Sequence, residues 1–533
     1  MQTSNRPTYL YGGKIHLHPE TSRTVEAIVV DKGRVLASGS TEELDPRLLP
    51  ETERIALDGR ALIPGLIDAH IHLEKYAQSL QIIDCERPTM ADCLERTSKH
   101  ASQAPADSWI LGHGWNQNTW GGFGKLADLD AAVPNHPAYL TAKSLHAAWV
   151  NSRALQLAGI DSSTPNPEDG VIERDEIGNA TGMLFEGAMR LVKRRIPALT
   201  ADQLADKLGT AQENLARFGL TGVHDFDGPT CFGALQILRE RGELRLRVLK
   251  NIPAAQLGSA RDLGLRSGFG DDWIRIGNIK VFADGALGPR TAAMLQSYEG
   301  EPKNRGMLLV DSEALIEIFE EAARSGFGMT VHAIGDRANH EVLNAFSLLR
   351  EYEQLEMLAK RRHRIEHLQI LHPDDLTRAA ELEIVASMQP IHATSDMEMA
   401  DQYWGDRVTQ AYAWRAQLDA GARLAFGSDA PVETPDPLSG IYAAIARRRP
   451  DGSPGINGWI PDQRLNLSEA LVAYTIGPAY AAGNESWQGQ LFPGYAADLV
   501  VLNHDPFELE GEEFLRLSVA GTMVAGNWSY RNF

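Results

Sequence analysis

Eight short apolar segments, spaced through the middle of the chain with helix-like stretches between them, constrain the fold more than any other feature. In order they are ALIPGLIDAHIH, LTGVHDF, LRLRVLK, IRIGNIKVFADG, GMTVHAIGD, HRIEHLQ, EIVASMQP and ARLAFGSDAP. Strand-like runs alternating with helical periodicity make a parallel sheet joined by crossover helices. Eight such units are what a closed (β/α)8 barrel requires. Most of the segments carry a polar, often ionisable, residue at or just beyond their C-terminal end. In a barrel that end is where an active site is built.

The two ends of the chain read differently. YLYGGKIHL, AIVVDKGRVLASG and RIALDGRALIPG near the start, and GQLFPGYAADLVVLNHDP and RLSVAGTMVAGNWSYR near the finish, alternate apolar with polar residues between Gly, Pro, Asp and Asn turn signals. They predict a small β-sandwich assembled from residues 1–60 plus 488–533, around a barrel spanning 61–487. Residues from about 74 to 219 predict a large lobe inserted after the first barrel strand and packed over the barrel mouth. WILGHGW and PAYLTAK within it also read as barrel strands, an alternative the sequence leaves open. The expected fold class is α/β, a TIM barrel with a terminal β-sandwich and that insertion.

Composition narrows the function classes. With 533 residues, 43% hydrophobic and 23% charged, the chain can bury several cores, and disorder is excluded. Acidic residues outnumber basic ones by 71 to 51, a net charge of −20, which disfavours nucleic acid or an anionic membrane as partner. No apolar run long enough for a membrane span is visible, and the N-terminus has no signal-peptide core. Cys85, Cys93 and Cys231 are an odd number without a CxxC pair, so neither a disulfide framework nor a thiolate metal site is expected. A cytoplasmic protein acting on a small molecule is the expectation. Homo-oligomerisation is compatible with this reading, but no feature establishes it. Neither a phosphate-cradling GxxxxGK[ST] loop nor a GxSxG elbow is present.

His70 and His72 close the first segment as an HxH pair, and residues two apart on a strand face the same way. Compatible ligand types recur at later strand ends: His332, His367 and Asp429. Imidazole nitrogen and carboxylate oxygen suit Zn²⁺ and similar divalent ions, and a barrel gathers strand ends onto one rim. Lys280, between Ile279 and Val281, is predicted to point inward. A buried amine there is neutral, modified, or paired with a carboxylate such as Asp284. A neutral amine reacts with CO₂ to give a carbamate able to bridge two metals.

PGLIDAHIH, IKVFADGALG, VHAIGD, RIEHLQ, FGSDAPVE and PGYAADLVVLNHDP resemble the amidohydrolase superfamily, and within it amidohydrolase family 3, which includes N-substituted formamide deformylase-like proteins. LHAAWVNSRALQLAGI and TGMLFEGA extend the resemblance into the insertion. The resemblance implies metal ligation by His70, His72, His332, His367 and Asp429, with a carboxylated Lys280 as bridge. Some related enzymes bridge with Glu or Cys, which leaves Glu186 as a competing candidate and one or two metals per chain. The implied reaction is hydrolysis of an amide, formamide or cyclic imide C–N bond by metal-activated hydroxide, with Asp429 as general base. Deamination at a mononuclear site and a non-catalytic regulator on the same scaffold are the alternatives. For substrate contacts the sequence offers Trp115, His146, Glu186 and Trp404, with Trp120 and Tyr403 nearby. His224, His363 and His392 read as structural or peripheral.

Overall fold

The computed structural model describes residues 6–21, 23–106, 108–143, 147–167 and 170–533. They form two compact units, one running to Tyr76 and resuming at Ala201–Phe533, the other covering Ala77–Thr200.

In the first unit the eight apolar segments become eight parallel strands. These are β1 (Leu66–Ile71), β2 (Leu220–Asp225), β3 (Arg247–Pro253), β4 (Ile274–Phe282), β5 (Met329–Ala333), β6 (Arg364–His367), β7 (Val385–Met388) and β8 (Leu424–Phe426). Each pairs with its neighbour in chain order, and a parallel bridge from Ile71 to Ala430 brings the end of β8 back to β1. Most polar side chains in such an interior find hydrogen-bond partners. Arg364 of β6, fully buried, donates to Glu366 at 2.6 Å, to Ser387 of β7 at 2.7 Å, to the Ala69 carbonyl of β1 at 2.6 Å and to His224 of β2 at 2.8 Å. One guanidinium thereby ties four strands together across the barrel.

The chain ends build one mixed sheet. Its strands lie in the order Asn527–Arg531, Val519–Val524, Leu499–Leu502, Ala61–Pro64, Thr8–His16, Thr24–Asp31 and Arg34–Gly39, with Glu53–Ala56 also on Thr8–His16. Leu10, Ile28, Leu62, Leu499, Val501 and Met523 fill its core. The apolar run ALIPGLIDAHIH is therefore two strands: Ala61–Pro64 pairs with Leu499–Leu502, and the chain enters β1 after Gly65. A side chain at Gly65 would overlap Thr221 of β2, its Cβ 2.4 Å from the hydroxyl oxygen. That close approach explains the residue. A buried ion pair, Arg247 of β3 with Asp498 at 2.6 Å, joins the sheet to the barrel.

The second unit has a six-stranded sheet of its own, in the order Gly170–Arg174, Ala180–Glu186, Ala147–Val150, Ala138–Ala142, Ile110–Trp115 and Ile83–Asp84. WILGHGW and PAYLTAK therefore supply strands here and not to the barrel. Two cores flank the sheet, one around Trp115, Trp149 and Met183, the other around Tyr139, Leu155 and Leu184. The unit is shorter than residues 74–219. The Ala201–Arg217 helix belongs to the first unit, where its Ala216 carbonyl accepts from Thr522 at 2.6 Å.

Candidate metal centre

Strand alternation puts Asp68, His70 and His72 of the first barrel segment on one face. Asp68, carried up to about 7 by burial, accepts from the His70 amide (2.9 Å) and from the Ser428 amide (3.0 Å) and hydroxyl (2.5 Å). It thereby fixes the end of β1 to the loop after β8. The His70 Nδ1 is 2.6 Å from Glu366 and the His72 Nδ1 is 2.9 Å from Asp227. A carboxylate only accepts, so each Nδ1 carries a proton, and in the neutral form of each ring Nε2 keeps a lone pair. Those Nε2 atoms face the same oxygen, Asp429 Oδ1, at 3.4 and 3.5 Å. Burial holds His70 well below its ordinary pKa, so its ring is neutral. Unprotonated nitrogens converging on a carboxylate oxygen, with no proton to share, leave room that a cation fits.

The later strands complete the group. One donor atom each from His70, His367 and Asp429 lie within 4.8 Å of one another. His367 closes β6 with φ 74° and Asp429 follows β8 with φ 60°, both in the left-handed region that a side chain enters only at a cost. The His367 Nδ1 is buried with no hydrogen-bond partner. His332, on β5, faces the Gly285 carbonyl through Nε2 at 2.9 Å, leaving Nδ1 its lone pair. Burial brings His332 down to about 3, and its ring centre is 4.5 Å from that of His367.

Lys280 of β4 is 3% exposed and its Nζ has no hydrogen-bond partner. It lies over the rings of Phe226 (4.7 Å) and Phe282 (4.9 Å), and burial lowers it to about 8. Asp284, the carboxylate open to it in the sequence, is instead occupied by the backbone amides of Ala293, Ile334 and Gly335.

Asp225, Asp227 and Cys231 form a second group with ligand-like spacing. Lys250 already neutralises it: its ammonium is 2.8 Å from Asp225, whose other oxygen accepts from the Leu73 amide at 3.0 Å. Asp227 is engaged by His72 and the Glu74 amide. This group supports His72, and its carboxylates are already engaged by protein donors.

The proposed substrate contacts fare unevenly. Trp115 is wholly buried in the core of the second unit and donates its indole N–H to the Leu140 carbonyl at 2.7 Å, so it packs that core. Trp404 is also wholly buried, its ring 6.3 Å from that of Tyr412. Glu186 is the exposed last residue of an inner strand of the second unit's sheet, whereas Lys280 shares the barrel interior with the histidines. His146 lies outside the described residues. His224 and His363 are structural: one holds Arg364, the other pairs with Glu353 at 3.0 Å. His392 is not peripheral. Its Nε2 is 3.9 Å from Asp429 Oδ2, and its ring lies parallel to that of His367, 6.0 Å between centres. Sequence reading missed Glu366 and Asp227 as well. The signal for Glu366 was present, because it alternates with Arg364 on the inner face of β6.

Known proteins share this architecture. A model of the amidohydrolase family matches residues 53–530. The chain is 33% identical over 534 residues to the Bacillus subtilis (strain 168) protein named "Putative amidohydrolase YtcJ", covering 98% of each. It is 28% identical over 553 residues to the N-substituted formamide deformylase of Arthrobacter pascens, covering 99% of each. The crystal structure of an uncharacterized metal-dependent hydrolase from Pyrococcus furiosus superposes with a TM-score of 0.80 at 28% identity, over 94% of this chain and 100% of that one. The barrel, the terminal sheet and the gathered donors thus have one explanation: this chain belongs to the amidohydrolase family, in family 3, and is a metal-dependent hydrolase.

Proposed function

We propose that the chain hydrolyses a carbon–nitrogen bond of a small molecule, in an amide, formamide or cyclic imide. The centre would be one or two divalent metal ions, zinc by donor type, held by His70, His72, His332, His367 and Asp429. Lys280, once carboxylated by CO₂, would bridge the pair. The observation that carries the reading is the convergence of the His70 and His72 Nε2 lone pairs on Asp429 Oδ1, at 3.4 and 3.5 Å. Similarity to N-substituted formamide deformylase supports the choice of bond. Three unpaired, buried cysteines suit a reducing, cytoplasmic setting.

When bound, the cation supplies a Lewis acid for the carbonyl and a water that ionises near neutral pH. The chain's own groups do the rest. Asp429 accepts the proton of the attacking water at a carboxylate oxygen and returns it to the departing nitrogen. Burial raises its pKa, which strengthens it as a proton acceptor. Glu366 and Asp227 keep His70 and His72 in one tautomer and one orientation. Lys280, held near 8, has a neutral fraction at pH 7 whose nitrogen adds to the carbon of CO₂ and releases one proton.

Elemental mass spectrometry on protein purified without chelator or histidine tag should find one or two divalent ions per chain, two being the bridged stoichiometry and one a mononuclear centre without the Lys280 bridge. Asp429→Asn should keep most of that metal and lose turnover on formamides and cyclic imides. No metal even after incubation with zinc, or near-normal turnover in the variant, rejects the reading.

A further inference from the structure

Buried polar atoms without partners are rare in folded proteins, and here several gather on one side of the centre. Gln389 is 2% exposed, and neither its Nε2 nor its Oε1 has a partner. The His392 Nε2 and the Gln369 Oε1, in side chains that are also buried, likewise have no partner. Their placement is set by β7 and the helix that follows it, Pro390–Trp404. Ser387 of β7 faces the interior, since its hydroxyl donates to Glu366 at 2.6 Å. The backbone is still extended at Gln389 (φ −121°, ψ 95°), so its side chain emerges on that inner face, one step nearer the mouth. His392 follows in the first helical turn, its amide bonded to the Gln389 carbonyl at 3.1 Å. Gln369 donates its amide N–H to His392 Nδ1 at 3.4 Å, so the proton of that ring is on Nε2, the atom turned toward Asp429.

A carboxamide offers one donor and one acceptor side by side, and a protonated ring nitrogen offers one donor. We propose that Gln389 and His392 form a substrate-binding pair selecting amides that still carry an N–H. Gln389 would accept the substrate N–H through its Oε1, and His392 would donate to the carbonyl oxygen as it gains charge. A site built to bond an N–H rejects the analogue lacking it more strongly than apolar contact could, because its own buried groups are left unpaired. The inference rests on the amide-hydrolase reading above and sharpens it to secondary amides, N-monosubstituted formamides and imides with a free N–H.

Formanilide, N-methylformanilide and phenyl formate form a matched probe set, with N–H, N-methyl and O at the same position. Each would be followed for turnover and, by saturation-transfer NMR, for binding to the zinc-loaded chain. Gln389→Met should lower kcat/KM and affinity for formanilide about ten-fold or more, and change the other two by less than about three-fold. His392→Phe should lower kcat on all hydrolysed probes by about a hundred-fold with little change in KM, and His392→Gln, which keeps an N–H donor, should recover part of it. Zinc content should stay at the wild-type level in all three variants. Equal effects of Gln389→Met on the three probes, no effect, or loss of zinc in a folded variant would overturn the proposal. If the wild type hydrolyses none of the probes yet binds formanilide over N-methylformanilide in a Gln389-dependent way, the subsite stands and the amide-hydrolase reading fails.

Discussion

The centre depends on residues that would never touch a metal. Glu366 accepts from His70 at 2.6 Å, and is itself held by Arg364 and Ser387, each at 2.6 Å. Glu366→Gln replaces an acceptor-only group by one whose amide can turn a donor toward His70, so the His70 ring loses its fixed tautomer. Metal affinity should fall about 10–100-fold, read by titration against a competing chelator. An unchanged affinity would mean that packing alone orients His70. A second residue-scale expectation concerns pH. His363 is wholly buried, its Nδ1 accepts from the Met329 amide at 2.9 Å, and burial lowers its pKa below the ordinary 6.5. The folded state then binds fewer protons there than the unfolded chain, so this contribution is complete above 6.5 and is lost as pH falls below it. In metal-free protein the unfolding midpoint should drop between about pH 7.5 and 5.5, and less in His363→Gln. Parallel pH profiles for the two would remove His363 from the acid sensitivity.

Among the elements, strand existence was legible and strand company was not. Most of the eight barrel segments announce themselves by apolar runs ending in a polar, often ionisable, residue, because a parallel strand buried on both faces needs a continuous apolar core and a rim of chemistry. The run ALIPGLIDAHIH has the same signal throughout, although it serves two sheets. Only the contact between Gly65 and Thr221 marks the change, and that contact is long-range. His392 was misread for a similar reason: helix Pro390–Trp404 starts directly after β7, so its first turn belongs to the rim. Gly427, between β8 and Asp429, shows how tightly the rim is joined. A Cβ there would lie 2.4 Å from the His70 amide nitrogen and 2.6 Å from Asp68 Oδ1. Gly427→Ala should push the end of β1 from that of β8, lowering stability by about 1–3 kcal/mol and weakening metal retention. Thermal melting and elemental analysis of the same preparation test both parts. A stable variant with full metal content would show that the strand ends move independently.

At the scale of the whole molecule, sequence pattern predicts an inserted lobe over residues 74–219, and the structure's second compact unit covers Ala77–Thr200. A helix such as Ala201–Arg217 carries the same amphipathic periodicity whichever unit it packs on, so its allegiance is decided by tertiary contact alone. The units differ in what a metal can do to them. His70, His72, Lys280, His332, His367 and Asp429 all belong to the first unit, while Ala77–Thr200 has its own sheet and cores. A ligand that binds only the folded form stabilises the cooperative unit that contains its site, by RT ln(1 + [L]/Kd), about 2.7 kcal/mol at a hundred-fold excess over Kd. Unfolding of a multi-unit chain is not expected to be a single two-state event. Calorimetry should therefore resolve two transitions, and chelation should lower one of them, the larger in enthalpy, because the first unit contains far more residues. The other should stay within about 1–2 °C, as a transition with no linked ligand does. Equal shifts in both would show that the insertion unfolds with the barrel as one cooperative body.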